Sequence, residues 1–227
     1  MASGSLLAFR RGLLEVDELQ RADPTPVGSA PHNPEVARVI GRASVVLLSS
    51  HFERYIYAMN EEATQLLNDA EIQGHLLPEG FRLLHSQLSI DTLVATSWEN
   101  RGEKLASFIE LEAWLWSIGS SGVLDHNRLL LWMKAPSPRN LVRYFRIWGI
   151  SDVFRAITRA QHTQSELRLR IGELVQKRNN IAHGDLTIEA THTDVASYRE
   201  VTMKFSERAD RVLGKVVGGL IGRQTAW

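Results

Sequence analysis

Three side chains within one short segment have the chemistry needed to cleave a phosphodiester bond. Arg178 is a permanent cation that binds phosphate, Asn179 carries an amide that orients hydrogen-bonding groups, and His183 carries an imidazole that exchanges protons near neutral pH. Gly184 follows the histidine directly. On a helix, Arg178 and His183 lie about one and a half turns apart. The residue types and their spacing therefore predict a small acid–base site acting on phosphate.

The spacing alone does not distinguish this pair from others in the chain. With 21 Arg and 8 His, about two Arg–His pairs separated by four to six residues are expected by chance. Arg155 and His162 form one such pair. An alanine follows Arg155, whereas Asn179 follows Arg178, and an amphipathic helix leads into the Arg178 segment. This context favours Arg178 and His183 as the functional pair.

A structural interpretation of the same residues stands beside the chemical one. Cations are favoured in the last turns of a helix, where the carbonyl groups are unpaired, so Arg178 fits that position. His183 fits the end of the helix, with Gly184 reversing the chain. Under this interpretation the segment is a helix terminus and has no catalytic role.

Several stretches of the chain, taken in order, resemble the RiboL-PSP subgroup of HEPN-domain ribonucleases. The motif Arg178–Gly184, which reads R-N-N-I-A-H-G, is similar to the R-x4–6-H signature of these enzymes. The other stretches are residues 43–56, the loop 135–138 with residues 140–150 after it, and residues 175–177 leading into the motif. The resemblance covers roughly residues 35 to 215, and residues 1 to 34 add nothing to it.

The resemblance implies an all-α, HEPN-like antiparallel helical bundle that is usually dimeric and cleaves RNA without a metal or cofactor. Arg178 would contact the scissile phosphate, and His183 would be general base or acid for attack by the ribose 2′-OH. Asn179 would bind the phosphate or fix the histidine tautomer. The implied setting is a toxin or antiphage effector with RNA as substrate, a homodimeric state and an antitoxin or regulatory protein as a further partner.

Two other functions remain open. A non-catalytic HEPN-like module would bind RNA, a nucleotide or a protein, with the motif serving as a helix terminus. An immunity or antitoxin role would use the acidic half of the chain to bind a basic partner, although no motif supports it. Fold resemblance alone does not separate these functions, because function depends on the site.

Further residues are expected to support the site. Glu53 lies among apolar residues of a long helix and is expected to pair with Arg178 across the bundle, in a role more structural than catalytic. Arg139, Arg143 and Arg146 recur at helical spacing and predict a track for an RNA backbone. A solvated helix face would give the same pattern. Lys177, next to the motif, is a further candidate for RNA contact. No combination of His, Asp and Glu shows metal-ligand spacing, apart from a weak His183–Asp185 pair.

Charge is distributed unevenly along the 227 residues, whose formal net charge is zero. Residues 1–125 carry 9 Lys and Arg against 17 Asp and Glu, which is net −8, whereas residues 126–178 carry 11 against 3, which is net +8. This basic block suits nucleic acid, but it can equally dock on the acidic half or on a partner subunit. The absence of cysteine and of a membrane-length apolar run predicts a cytoplasmic protein without membrane contact.

The hydrophobic pattern predicts helices throughout and two regions: an N-terminal helix with a Pro-rich linker (1–34) and a HEPN-like helical domain (35–227). The expected helices cover residues 5–22, 34–70, 81–88, 91–96, 101–118, 139–148, 152–160 and about 193–221, together with the motif helix. Thr163 and Glu166 predict a capping box that opens the motif helix. Gly214, Gly218 and Gly222 predict a flat ridge on the last helix, suited to close approach by another backbone.

Overall fold

The computed structural model describes residues 2–23 and 33–227. Within these ranges the chain forms eight α-helices and no β-strand, apart from one isolated bridge between Gln73 and Ser121. The helices are α1 (Gly4–Arg21), α2 (Pro34–Asp69), α3 (Glu79–Ala95), α4 (Arg101–Glu112), α5 (Pro138–Ile147), α6 (Val153–Ile157), α7 (Gln161–Ala182) and α8 (His192–Leu220). The predicted all-α class is confirmed. Most of the predicted Pro-rich linker, residues 24–32, lies outside the described residues.

The start of α2 follows from its local sequence. The Asn33 side chain accepts a hydrogen bond from the Val36 N–H at 3.3 Å, Pro34 occupies the first turn, and Glu35 places a carboxylate beside the positive end of the helix. The helix then continues for 36 residues and forms the long axis of the bundle. The sequence prediction for this helix, residues 34–70, is confirmed to within one residue.

Helices α1, α2 and α8 share one hydrophobic core. Leu6, Phe9 and Leu13 of α1 are almost fully buried. The ring centroid of Phe9 lies 6.1 Å from that of Phe52 on α2, which lies 5.8 Å from that of Phe205 on α8. Burial of side chains this large stabilises the fold by about 2 kcal/mol each. The N-terminal helix is therefore part of the bundle core.

Helices α7 and α8 run antiparallel, and this arrangement fixes where the motif lies. Lys177 meets Asp194 at 3.0 Å, and Lys204 meets Glu166 at 4.0 Å. The carboxyl end of α7, with the motif, therefore lies beside the amino end of α8. A capping box of Thr191 and Asp194 begins α8.

The predicted capping box at Thr163 is wrong. The cap residue of α7 lies three residues earlier, at Ala160, and forms no side-chain hydrogen bond. Thr163 and Glu166 therefore lie inside the first two turns of the helix, where Thr163 is no longer in the cap position. The Gln164 side chain instead donates to the carbonyl of Thr158 at 3.0 Å and ties the helix start to the preceding loop.

The region between α2 and α5 differs most from the sequence prediction. One helix, α3, replaces the two short helices predicted for residues 81–96, and α4 ends at Glu112 instead of residue 118. Two large apolar side chains of α4, Leu105 and Leu111, remain exposed. The Glu112 carboxylate is buried and accepts hydrogen bonds from Ser86 at 3.1 Å and Ser89 at 2.9 Å. Helices α3 and α4 are therefore held together by polar contacts as well as apolar ones.

The glycine ridge of α8 is covered by the carboxyl terminus of the same chain. A Cβ at Gly218 would lie 2.6 Å from the Cα of Thr225, and the Ala226 N–H donates to the Gly214 carbonyl at 2.8 Å. The Trp227 indole N–H donates to Asp210 at 2.9 Å. Gly214 and Gly218 do admit a close backbone, as predicted, but that backbone is the chain's own, so the ridge is not open to a second protomer. The prediction is wrong for Gly222, which lies past the end of α8 with a φ of 72° and has no described atom within 4 Å of its Cβ position.

Candidate phosphodiester-cleaving site

The motif forms the carboxyl end of α7. His183 is the cap residue directly after Ala182, and Gly184 follows with a positive φ of 84°, a conformation that glycine adopts at little cost. The Gly184 N–H donates to the Ile181 carbonyl and the Asp185 N–H to the Asn180 carbonyl, both at 3.0 Å. These two bonds are the Schellman arrangement that ends many helices. They fix the backbone that carries the histidine.

Arg178 is oriented by two side chains of α2. Its Nη2 donates to Glu53 Oε2 at 2.6 Å, and its Nε lies 3.4 Å from Ser49 Oγ. Ser49 and Glu53 are one helical turn apart on α2, so they face the arginine together. The guanidinium side chain keeps 22% of its surface exposed. The predicted contact between Glu53 and Arg178 is present, and it leaves the guanidinium partly accessible to a ligand.

His183 is exposed to solvent. Among the residues that the structure describes, its imidazole forms no hydrogen bond or ion pair, and only its backbone N–H is engaged, by the Asn179 carbonyl at 2.9 Å. An imidazole in this setting is free to exchange a proton with a bound ligand. Arg178 is therefore held in place, whereas His183 is open.

Asn179 and Lys177 flank Arg178 but have different surroundings. The Asn179 side chain is half-buried, with no hydrogen bond in the described structure. Lys177 faces α8, where its ammonium lies 3.0 Å from Asp194 and 5.6 Å from the centre of the Tyr198 ring. Burial, the largest single effect, lowers the pKa of Lys177, but hydrogen bonds and charge interactions with Asp194 and Tyr198 together outweigh it, so that the pKa is raised overall. Asn179 therefore lies beside Arg178 near the carboxyl end of α7, whereas the Lys177 side chain points toward α8.

The loop after the motif is tied to α2 by contacts that sequence reasoning missed. Arg42 Nη1 donates to the carbonyls of Asp185 at 2.6 Å and Ile188 at 2.8 Å. Gly41 lets the loop approach, because a Cβ there would overlap the Ala190 carbonyl oxygen. The sequence contains one signal for this contact, a glycine inside the longest helix, because a mid-helix glycine destabilises a helix by about 1 kcal/mol relative to alanine.

Ser49 and Tyr57 are two further residues that the sequence did not single out. Both lie within one turn of Glu53 on α2, on either side of it along the chain. The Tyr57 hydroxyl donates to the Met133 carbonyl at 2.7 Å. Burial, assisted by the nearby Glu53 charge, raises the pKa of Tyr57, which keeps the phenol protonated. Tyr57 is therefore held against the Met133 backbone, close enough for its hydroxyl to feel the charge of Glu53.

The arginine stripe of α5 faces solvent. Arg139, Arg143 and Arg146 are exposed, whereas Leu141 and Phe145 on the opposite face are fully buried. The Arg143 guanidinium lies 4.1 Å from the centre of the Trp132 ring. The start of α5 touches the motif helix, because Pro138 lies 3.7 Å from the Cβ position of Gly172, which precedes Arg178 by six residues.

The basic block is neutralised only in part. Within the described structure, six of its eleven cations lie within 4.0 Å of a carboxylate: Arg128, Arg155, Arg168, Arg170, Lys177 and Arg178. The other five have no such partner there: Lys134, Arg139, Arg143, Arg146 and Arg159. Three of these five form the α5 stripe. The block therefore forms internal ion pairs along one part, while the α5 stripe has no carboxylate partner within the described residues.

Two further features of the described residues bear on the site. No group of three or more His, Asp or Glu side chains lies close enough to hold a metal ion. None of the helices combines the length and apolar composition needed to cross a bilayer.

The chain is all-α within the described residues and carries the Arg178–His183 pair at the end of α7. It belongs to the RiboL-PSP-HEPN family, whose model matches residues 13–215. The match begins within α1 and so includes part of the region in which we had recognised no resemblance. Searches of curated proteins and of solved structures found no significant match. Family membership supports a ribonuclease or another RNA-related module.

Proposed function

We propose that the protein is a metal-independent endoribonuclease of the HEPN type. The observation that carries the proposal is the pairing of a fixed cation with a free imidazole. Arg178 is held by Glu53 at 2.6 Å, while His183, five residues later on the same helix end, is exposed. A positioned cation with an accessible proton carrier is what transfer at phosphorus requires when the nucleophile belongs to the substrate.

In the proposed reaction the ribose 2′-oxygen attacks the adjacent phosphorus, and the bond from phosphorus to the 5′-oxygen of the next nucleotide breaks. His183 takes the proton from the 2′-OH, and the leaving 5′-oxygen gains a proton. Arg178 keeps donors beyond those used by Glu53 and Ser49, and these stabilise the negative charge that develops on the phosphoryl oxygens. Asn179 assists by hydrogen bonding to the phosphate. The products are a 2′,3′-cyclic phosphate and a 5′-OH.

This reaction needs two proton transfers, whereas one protomer supplies one motif histidine. A homodimer that places two motifs across a shared cleft provides both transfers. HEPN domains bind RNA and often dimerise, which supports this arrangement. The glycine ridge of α8 is occupied by the chain's own terminus, so the dimer contact is assigned to another surface. We place the enzyme in a toxin or antiphage setting, where an antitoxin or regulatory protein restrains it.

The arginines of α5 supply a track for the substrate backbone. Arg139, Arg143 and Arg146 are exposed, and no described carboxylate pairs with them. Trp132, which lies against Arg143, offers an aromatic surface beside the same stripe. Cations neutralise phosphates and aromatic rings stack on bases, so this combination suits single-stranded RNA.

A chimeric substrate tests the reaction. The purified protein is incubated in EDTA with an RNA strand, and the cleavage position and product ends are determined by mass spectrometry. The same strand is then given a single deoxyribose at the nucleotide 5′ to that position. We expect cyclic phosphate ends on the RNA and no cleavage at the deoxyribose. Cleavage at the deoxyribose, or a requirement for added metal, would contradict the proposal.

A non-catalytic RNA-binding module is the second candidate, and the Schellman arrangement favours it. The hydrogen bonds at Gly184 and Asp185 account for part of the motif as a helix end without any chemistry. This function predicts that the protein binds RNA with measurable affinity, that no strand is cut, and that His183→Ala leaves binding unchanged. Cleavage that is lost in His183→Ala would exclude it.

A further inference from the structure

A cationic groove lies at the other end of the α7–α8 pair from the motif. It is lined by Ala156 and Ile157 of α6 and by Arg208, Arg211, Val212 and Lys215 of α8, and it encloses about 370 Å³. No acidic side chain contributes to its lining. The groove therefore presents three cations and an apolar floor to one side of the bundle.

The three cations of this groove lack carboxylate partners within the described part of the chain. Arg208 and Lys215 form no side-chain hydrogen bond or ion pair there, and Arg211 donates only to the Glu207 backbone carbonyl at 3.1 Å. Arg208 is also half-buried. Partly burying a charge without a partner costs free energy, which a bound anion would offset.

The spacing of the cations suits a chain of anions. Residues 208, 211 and 215 recur at i, i+3 and i+7, so they lie along one face of α8. With a rise of 1.5 Å per residue they span about 10 Å. A row of this length matches several consecutive charges of a polyanion better than one isolated phosphate.

The surroundings of the groove favour a nucleic-acid backbone over an acidic protein. The centre of a protein interface is normally apolar and poor in charge. Of the residues that line this groove, none is a large hydrophobic side chain exposed to solvent. Its apolar lining is limited to Ala156, Ile157 and Val212, and its cations can bind phosphates without a protein surface packing against the groove.

We propose that this groove is an RNA-backbone anchor distinct from the cleavage site. It rests on the proposed function for the choice of RNA as the polyanion. Because Lys204 on α8 lies opposite Glu166 on α7, Arg208 is level with the first turn of α7. Arg178 lies about 16 residues beyond that first turn, which is roughly 24 Å along the α7 axis. The anchor therefore selects RNA long enough to reach from the motif to the far end of the bundle.

Salt-dependent binding to a single-stranded RNA tests the anchor. The His183→Ala protein, which does not degrade the ligand under the proposed mechanism, is titrated by fluorescence anisotropy over a series of salt concentrations. It is compared with the same protein carrying Arg208→Ala, Arg211→Ala and Lys215→Ala. The matched control removes Arg21, Arg54 and Lys104, three cations on other helices that pair with nearby glutamates and change the net charge equally.

Loss of three phosphate contacts makes the negative slope of log K against log salt shallower by about 2. We expect this in the groove variant, while the control keeps the parent slope. A double variant, Arg211→Glu with Lys215→Glu, alters only exposed side chains and should weaken binding further. Equal slopes in groove variant and control would overturn the anchor. Groove-dependent binding of polyglutamate in place of RNA would also overturn it and assign the groove to an acidic protein.

The binding test is independent of cleavage. If the wild-type protein cuts no RNA but binding by the groove variant depends less on salt than binding by its parent, the proposed reaction fails and the anchor stands. If the wild type cuts RNA and the groove variant binds with the parent slope, the anchor fails and the proposed reaction stands.

Discussion

Nη2 of Arg178 lies 2.6 Å from Oε2 of Glu53, a contact that joins residues 125 positions apart in the chain. It links α7, which carries the motif, to α2, the long axis of the bundle. The two side chains are 22% and 29% exposed, so the pair lies at the surface of the bundle and not in its core. Glu53 therefore orients the Arg178 guanidinium and leaves it partly exposed to solvent.

The first prediction concerns this pair. Glu53→Gln removes the negative charge that orients the Arg178 guanidinium. A group misplaced near the reacting atoms lowers the rate by up to about 100-fold. We expect kcat for RNA cleavage to fall by about 10- to 100-fold, with KM changing much less. Glu61→Gln is the matched control, because Glu61 also pairs with an arginine of α2, Arg54, but at an exposed position. Equal activity of the two variants would show that Glu53 does not position the arginine.

The second prediction concerns the loop that follows the motif. Arg42→Ala removes two hydrogen bonds to the carbonyls of Asp185 and Ile188, and bonds from a charged donor contribute about 1.5–3 kcal/mol each in favourable cases. We expect faster hydrogen exchange across residues 185–190 and about 10-fold slower cleavage.

Arg38→Ala provides the comparison for Arg42→Ala. Arg38 donates to the same loop, at the Leu186 carbonyl, through one longer bond of 3.2 Å and from a more exposed position. Arg38→Ala should therefore change hydrogen exchange across residues 185–190 only slightly. Unchanged exchange in Arg42→Ala would mean that the loop is held by other contacts.

The third prediction concerns the close approach at Gly41. A Cβ at this position would overlap the backbone carbonyl of Ala190, which moves only if the loop moves. We expect Gly41→Ala to lower the free energy of unfolding by about 1–3 kcal/mol. In Gly102→Ala the added Cβ meets nothing within 4 Å, so the better helix propensity of alanine should leave stability unchanged or raise it by about 0.5 kcal/mol. Urea denaturation of both variants measures the difference, and a neutral Gly41→Ala would refute the close packing.

The fourth prediction concerns pH. His85 is buried, and its Nε2 accepts a hydrogen bond from the Asp125 N–H at 2.9 Å, which requires that nitrogen to be unprotonated. Burial lowers the pKa of His85 from 6.5, against the opposing effect of Glu112. Below about pH 6.5 the unfolded chain therefore binds a proton that the folded chain excludes. The free energy of unfolding should fall as pH drops through this window, by at most about 1.4 kcal/mol per pH unit for this group.

Denaturant unfolding at pH 7.5 and 5.5 checks this effect. His85→Gln should lose less stability than the wild type between these two values, because it has no proton to gain. His162→Gln is the control, since His162 is exposed and should behave as the wild type does. An identical pH dependence in all three proteins would contradict the assignment to His85.

Local features of the fold were predictable because their causes are local. Asn33 with Pro34 marks the start of α2, and the apolar spacing of Leu6, Phe9 and Leu13 marks the buried face of α1. The contact between Glu53 and Arg178 was also predictable, because a carboxylate among apolar helix residues requires a cationic partner. Such features follow from short-range physical chemistry.

Features that depend on which elements meet in space were not predictable in the same way. The repeated glycines of α8 indicate a close backbone but do not identify it, and the chain's own Thr225 supplies it. Arg42 has no local signal for its role, because its partners lie more than 140 residues away. The direction of Lys177, toward α8 and away from α2, likewise depends on how the helices pack.

One measurement tests the central claim most directly: RNA cleavage in EDTA by Arg178→Ala and His183→Ala, set against Arg155→Ala and His162→Ala. The second pair has similar spacing, and both its side chains are exposed, which makes it a matched control. We expect each motif variant to lose at least about 100-fold in kcat, while both control variants cut as the wild type does. Equal cutting by all four variants would contradict the assignment of the motif as the catalytic site.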